Sequence, residues 1–368
     1  MRNSYNLSIT LNFYLARQFL LTVFAATLVM LAILLLSDML ALLDDLNPSN
    51  GFTGEVMLRL VLLKAPDMVL KLVPFTIMLG TMACYARLTK NQELTALRTS
   101  GVSAWQFLLA PAVVCLLIGL FNLTALNPIA AAMLKKYEHI YTEYFPGNAK
   151  GLLVEGGGVW LKQKEQDMEM IIRANSVSSQ GTTFSGVTIY RFDHAGHFQD
   201  LLSASSMTLG NSHWSLKDVA LLSPNKPAIR VPQQDITTTL TPEKIRGSFT
   251  SPNTLSVWEL PKFIRILKET GFSSLSHQMH FQRLLAAPLL GVAMFLLAAP
   301  FALRLTRFGG MGRLLLTGII FGFIFYLLNN IIGAYGLSGR IPVVLAAWMP
   351  TLITGMVGIA MLLHFGEE

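Results

Sequence analysis

FLLTVFAATLVMLAILLLS, residues Phe19–Ser37, carries no charged side chain. About 20 mostly apolar residues are enough for a helix to cross the hydrocarbon core of a bilayer, and this helix is expected to run on to Leu43. Five further stretches read the same way. Leu72–Ala86 is uncharged, and its helix extends outward through Lys71, Asp67 and Lys64; Phe107–Leu126, Leu284–Leu303, Leu314–Ile332 and Val343–Leu363 complete the set. Pro66, Pro74, Pro288 and Pro300 fall in or at the ends of these helices, where kinks are tolerated if neighbours satisfy the freed carbonyls. Between the third and fourth spans lies one long polar stretch, from roughly Lys135 to His280. The predicted fold is an α-helical bundle of six transmembrane helices with a β domain inserted between helices three and four. It divides the chain at residues 1–134, 135–275 and 276–368.

Hydrophobic residues make up 52% of the 368, charged residues 13%, and mean hydropathy is +0.51. Soluble domains usually carry about a quarter charged residues, so this is a membrane composition. Lys and Arg number 28 against 21 Asp and Glu, a formal net charge of +7. These basic residues cluster beside the apolar segments, which assigns the excess to topology and not to nucleic acid. The two cysteines, Cys84 and Cys115, both lie in apolar segments, which excludes a disulfide framework and Cys-based metal sites. His277 and His280 are spaced to share a helix face, but they lack a nearby carboxylate or third ligand and read as polar residues where a helix meets the membrane surface. The first apolar segment is too long for the core of a signal peptide and no small-x-small cleavage site precedes a mature domain, so it is expected to remain as a helix.

Orientation follows from the short loops, because Lys and Arg collect on the cytoplasmic side. Arg2 and Arg17 precede the first helix, Arg87, Lys90 and Arg98 lie between helices two and three, and Arg304, Arg307 and Arg313 lie between four and five. The opposite loops hold Asp44, Asp45 and Glu55, with Arg340 as their one basic residue. The termini are therefore expected inside and the polar domain outside. That domain reads as antiparallel β, with alternating runs such as Gly158–Lys164, Met168–Ala174, Gly186–Phe192, Ser212–Val219 and Ile229–Leu240 between Gly, Pro, Asn and Ser clusters. Strands of this length predict a sandwich or jelly roll. Lys135–Tyr144 and Leu255–Thr270 are expected to be helices that join it to spans three and four.

The sharpest local signal is Thr89-Lys-Asn-Gln-Glu-Leu-Thr-Ala-Leu-Arg-Thr-Ser-Gly101. Thr89 followed by Gln92 fits a capping box, and Gly101 suits the left-handed residue that ends a helix. Leu94 and Leu97 share one face of this short helix, while Glu93 and Arg98 present charge. It reads either as the element through which a transporter touches a soluble motor or as an ordinary solvated connector. Lys64, Asp67 and Lys71 share a face of the second helix at spacings i, i+3 and i+7. Charges at that depth face a cavity or a partner. They read as phosphate recognition on an anionic lipid, or as a self-neutralising ladder, or as lysines that snorkel to the interface. Gly318-x-x-x-Gly322 permits close helix approach, with routine packing as the plain alternative. No G-x-x-x-x-G-K-[ST] occurs, so ATP is not bound through a P-loop.

The pattern Arg87-x5-Glu-Leu-x-Ala-Leu-Arg-x-Ser-Gly101 resembles the loop between helices two and three of the LptF/LptG permeases, membrane subunits of the lipopolysaccharide export ABC transporter. The resemblance covers the whole chain, with a β-jelly-roll insert after helix three. Gly322-Phe-Ile-Phe-Tyr-Leu-Leu-Asn-Asn-Ile-Ile-Gly333, Ile341-Pro-Val-Val-Leu-Ala-Ala-Trp-Met-Pro350 and Gly158-Val-Trp-Leu-Lys162 are more similar to the LptG type than to LptF. In the family the loop helix docks into the ATPase, and Glu93 matches its acidic contact. The resemblance thus implies an ATPase-coupling role for Glu93, Leu94, Leu97 and Arg98. Helices one and five form lateral gates in the family, which places Gly318, Phe321, Gly322 and Phe325 near a gate. Some LptG proteins carry lysines near the outer end of helix one, where this chain has Asp38, Asp44 and Asp45. Arg59, Lys64 and Lys71 are therefore the substitute candidates for substrate contact.

The resemblance further implies a non-catalytic subunit of the bacterial inner membrane that binds no cofactor itself, with ATP and magnesium on a partner ATPase. Its expected partners are an LptF-like permease, an LptB-like ATPase dimer, an LptC-like periplasmic protein and lipopolysaccharide. The competing readings are an LptF-type subunit, a permease for another large lipid, a membrane-anchored scaffold or sensor, and a membrane enzyme. A sensor needs a cytoplasmic output domain, for which the inside segments are too short. An enzyme needs a catalytic constellation, and the sequence offers none.

Overall fold

The computed structural model describes residues 9–44, 54–101, 104–144, 159–165, 168–177, 182–192, 197–210, 213–223, 226–238, 251–269, 273–308 and 311–366. In chain order the elements are α1 (Ile9–Asp44), α2 (Gly54–Lys90), α3 (Glu93–Thr99), α4 (Ala104–Phe121), a π turn at Asn122–Leu126, α5 (Asn127–Tyr144), β1 (Val159–Glu165), β2 (Met168–Val177), β3 (Thr183–Phe192), β4 (Phe198–Leu209), β5 (His213–Ser223), β6 (Lys226–Thr237), a 3-10 turn at Pro252–Thr254, α6 (Leu260–Glu269), α7 (Leu275–Phe308), α8 (Met311–Leu337) and α9 (Val343–Gly366). They form two compact units. One comprises residues Met1–Tyr137, Ser256–Trp258 and Leu275–Glu368; the other comprises Glu138–Leu255 and Glu259–Ser274.

In the first unit, six helices among the described residues are long and apolar enough to cross a membrane: Thr10–Leu43, Gly54–Lys90, Trp105–Tyr141, Leu275–Leu303, Leu316–Leu337 and Val343–His364. The chain is a multi-pass membrane protein. In hydrocarbon a helix is forced on such segments, because it alone satisfies the backbone within one strand of chain. Helices α2, α4, α7 and α9 absorb Pro66, Pro74, Pro111, Pro288, Pro300 and Pro350 without ending. The third span is one continuous helix from α4 through the π turn into α5, so the connector expected at Lys135–Tyr144 is its C-terminal extension. At the end of the π turn the buried Asn127 accepts a hydrogen bond at Oδ1 from the Val257 N–H at 2.8 Å, which fixes the returning chain.

Four helices meet at one aromatic node. Phe19 of α1 stands edge-on to Phe295 of α7 at 5.6 Å, and Tyr85 of α2 lies 6.4 Å from Phe295 and 6.1 Å from Phe107 of α4. All four rings are fully buried, and such pairs add about 0.5–1.5 kcal/mol beyond area burial. Burial is unequal among the spans. The most apolar windows of the second and fourth spans are each 56% buried, the fifth 22% and the first 11%. The first and fifth therefore present most of their surface to lipid or to another chain.

The second unit holds the expected antiparallel β insert. Among the described residues this insert is one six-stranded antiparallel meander, with strands paired in the order β1 to β6, in place of the two-sheet packing that a sandwich or jelly roll implies. One row of opposed residues drops out of the pairing: Asn175, Gly186, Ser205, Asp218 and Pro232. Two of them have left-handed backbone, Gly186 at φ 62° and Asp218 at φ 54°, and Pro232 has no N–H to give. The consequence is a phase slip. Buried residues alternate as Leu202 and Ala204 before the row, then as Met207 and Leu209 after it; Trp214 and Leu216 give way to Val219 in the same manner. Each strand thus spends one residue leaving the ladder, as at a β-bulge, and the same face of the sheet stays in the core. Rings from non-adjacent strands close that core, Phe184 of β3 meeting Trp214 of β5 edge-on at 5.3 Å. The sequence reading finds five of the six strands and misses β4, whose serines and phase slip hide the alternation. The helix expected over Leu255–Thr270 begins at Leu260, after the 3-10 turn.

The row makes Gly186 irreplaceable: an added Cβ would sit 2.5 Å from Asn175 Nδ2, on a residue whose φ disfavours any side chain. Gly186→Ala is expected to destabilise the β unit by about 1–3 kcal/mol, whereas Ser203→Ala, at an exposed β4 position, changes little. Limited proteolysis of the full chain in detergent should show earlier cleavage between β1 and β6 for Gly186→Ala alone.

Candidate functional site

Two groups of polar residues on the membrane unit are candidates. The first is the junction of α2 and α3. α2 continues to Lys90, so Thr89 lies in its last turn, with Oγ1 donating to the Tyr85 carbonyl at 2.8 Å. The predicted capping box therefore does not form, because a capping residue must leave the helical backbone and Thr89 stays in it. The reversal falls instead on Asn91 and Gln92. Gln92 adopts φ 60°, donates its N–H to the Thr89 carbonyl at 3.0 Å, and accepts the Ala96 N–H at 3.0 Å to start α3. α3 ends as predicted, with Gly101 at φ 82°.

The sides of α3 have different tasks. Leu94 is 5% exposed and belongs to the bundle core with Leu15, Tyr85, Leu88 and Phe107. It anchors the helix to its own chain and is not presented outward. Leu97 is half-buried and Thr95 and Ala96 are exposed; Arg98 belongs to the same helix, with its side chain outside those described. The half-buried Glu93 has both carboxylate oxygens engaged: Tyr14 Oη of α1 donates to Oε2 at 2.7 Å and Asn91 Nδ2 donates to Oε1 at 3.1 Å. Each oxygen keeps a further lone-pair site, so the carboxylate is oriented without being saturated.

The second group lies on α1 and α2, more than twenty residues along α2 from α3. Lys64 forms an ion pair with Asp38 of α1, and its ammonium stands 5.5 Å above the Tyr137 ring. Lys71 pairs with Asp67 at 2.6 Å, the carboxylate side chain 10% exposed and the lysine 63%. Arg59 is exposed on α2. Of the three cations expected to contact substrate, Lys64 is paired with Asp38 of its own chain, Lys71 is paired with Asp67 yet stays largely exposed, and Arg59 presents its charge to the surroundings. The acidic outer end of α1, which departs from the family pattern, is explained in part: Asp38 is the counter-charge of Lys64.

The glycine stripe of α8 is occupied from within. An added Cβ on Gly318 would meet Met82 Sδ at 2.8 Å, and one on Gly322 would meet Met78 Cε at 3.2 Å. Phe325 packs on Phe75 of α2 at 6.1 Å and Phe321 on Phe301 of α7 at 4.6 Å. These four residues hold α8 to α2 and α7, while Ile319, Ile320, Phe323, Ile324 and Tyr326 form its exposed face. Sequence reasoning missed Tyr14, the Asp38 pairing, and the polar contacts of α7. In the last, Arg283 Nη2 donates to the Asn329 carbonyl of α8 at 3.2 Å, and Gln282 Oε1 accepts from Trp348 Nε1 of α9 at 3.1 Å. Asp38 and Lys64 leave only opposite charges on two different helices, which does not name the partner, and Tyr14 leaves no trace in the sequence.

A model of the family described as lipopolysaccharide export system permease LptF/LptG matches residues 13–364. The chain is 24% identical to the lipopolysaccharide export system permease protein LptG of Haemophilus influenzae over 358 residues, covering 94% of this chain and 95% of that protein. It is 25% identical to the protein of the same name from Escherichia coli K12 over 303 residues, covering 79% of this chain and 80% of that one.

The Asp38–Lys64 pair should reveal itself in a double-mutant cycle. Lys64→Met and Asp38→Leu each strand a charge in the membrane unit and are expected to lower the thermal midpoint in detergent. The double variant should recover much of the loss, with a coupling of about 0.5–2 kcal/mol; additive losses would deny the pair.

Proposed function

The chain belongs to the lipopolysaccharide export system permease LptF/LptG family, and we propose from that premise that it is the G-type subunit of an ATP-driven extractor in the bacterial inner membrane. The observation that carries the reading is the extent of the match, which runs from the first span through the β unit to the last. The chain's contribution is mechanical and recognitive. ATP and magnesium belong to an LptB-like ATPase dimer, and hydrolysis there drives movement here.

The geometry supports a division of labour. α3 is the element offered to the ATPase, anchored by Leu94 and presenting Glu93 and Leu97. The Lys and Arg bias of the short loops puts α3 and both termini in the cytoplasm and the β unit in the periplasm. α1 and α8, the least buried spans, face an LptF-like permease, and the lipid enters the cavity between the two permeases beside them. Arg59 and the exposed Lys71 are the cations of α2 that meet a lipid phosphate. Among the described residues the sheet ends in edge strands β1 and β6, and along β6 Ile229 is 52% and Val231 37% exposed. Such an edge can add a strand from the β domain of an LptC-like partner, which extends the path for the lipid.

The test addresses α3. A charge-assisted contact at an interface costs a few kcal/mol when one partner is truncated. Glu93→Ala is expected to leave membrane insertion intact, and to lower either ATPase retention on co-purification or lipopolysaccharide released per ATP hydrolysed in proteoliposomes. Wild-type values of both would return α3 to an ordinary connector.

A further inference from the structure

Tyr14 stands at the start of α1, 79 positions before the carboxylate it contacts. Its ring is 44% exposed, so packing alone does not hold it there. The hydroxyl donates to Glu93 Oε2 at 2.7 Å, while Asn91 holds Oε1. The next residue of α1, Leu15, and Phe19 just over a turn further are fully buried in the cluster that also receives Leu94 of α3. The first turns of α1 and the whole of α3 are thereby joined twice, once through apolar packing and once through a hydrogen bond to a charged group, which is among the stronger kinds. Beyond this point α1 is largely exposed from Leu20 through Leu40, apart from the buried Val23; its further polar ties to α2 are the Thr22–Cys84 contact and the Asp38–Lys64 pair.

We propose that Tyr14 is a positioning residue for ATP-coupled transport: its hydroxyl aims the Glu93 carboxylate and makes the first span move with α3. The proposal rests on the reading of α3 as the ATPase-docking helix. A force applied to α3 reaches two helices. It reaches α2 through the short Asn91–Gln92 turn, and α1 through Tyr14 and the apolar cluster that Leu15 and Leu94 share. α2 is well buried and α1 is not, so α1 is the span free to respond. Without the hydroxyl, Glu93 keeps only Asn91 as an orienting donor, and α1 keeps only apolar contact, which tolerates sliding.

The experiment compares Tyr14→Phe, Tyr14→His and Glu93→Ala in the assembled transporter in proteoliposomes, reading ATP hydrolysis and lipopolysaccharide release together. Tyr14→Phe is expected to assemble and hydrolyse ATP, with release per ATP reduced about three- to tenfold. Tyr14→His retains an N–H donor and should recover part of that ratio. A double variant Tyr14→Phe with Glu93→Ala should be no worse than Glu93→Ala alone, since both remove the same bond. A wild-type ratio for Tyr14→Phe beside an impaired Glu93→Ala overturns the role of Tyr14 and leaves the docking helix standing. Wild-type behaviour of Glu93→Ala removes the docking reading itself. Failure of both Tyr14 variants to assemble makes the residue merely structural and also overturns the proposal.

Discussion

The constraint on which the rest depends is that charges set in apolar helices must find partners within the protein, because hydrocarbon offers none. Asp38 with Lys64, Asp67 with Lys71, and Arg283 with the Asn329 carbonyl are the answers of this chain. Each joins a polar group to a neighbour on the same or an adjacent helix. None is needed to make the helices, which hydropathy alone provides. Asp38 with Lys64 and Arg283 with Asn329 tie neighbouring helices together, while Asp67 with Lys71 balances charge along α2 itself. A pair whose carboxylate is largely buried, as Asp38 and Asp67 are, contributes little net stability, since desolvation opposes the attraction, yet removing its cation is costly. Register, more than strength, is what such pairs supply.

Around them the membrane unit is graded. α2 and α7 form its interior, with Tyr85 and Phe295 at the aromatic node. α8 leans on α2 through Gly318 and Gly322, whose missing side chains leave room for Met82 and Met78. α1 is held to α2 at Thr22, Val23 and Asp38 and is exposed over most of the rest of its length. A permease must keep a rigid frame while opening a path for a large lipid, and this gradient of burial provides both. The β unit follows a different rule. Its single row of residues from Asn175 to Pro232 interrupts all the strands it crosses at one level, so the core face is preserved across the interruption.

The membrane spans were legible in the sequence because hydropathy is a local property that accumulates over about twenty residues. Short strands were legible where alternation held, and β4 was not, since the slip at Ser205 resets the phase halfway along it. The helix α3 was visible from Gly101 and its apolar spacing. Its starting point was misplaced, because α2 extends through Thr89 and only tertiary context decides where one helix stops. The contacts of Glu93 and Lys64 were illegible for a plainer reason. Their partners lie 79 and 26 positions away, and nothing in a local pattern states which helices will be neighbours. The same holds for Gly318 and Gly322, whose spacing announces close approach without naming the helix that approaches.

The central claim is that ATP drives lipopolysaccharide through this chain to its β unit. A photo-crosslinking residue at the exposed Leu222 or Ile229, in the assembled transporter in proteoliposomes loaded with lipopolysaccharide, tests it most directly. The account predicts adducts with the lipid that accumulate with time in the presence of ATP and magnesium and stay at background without hydrolysis. Adducts that form equally without ATP, or none at either position, would contradict it.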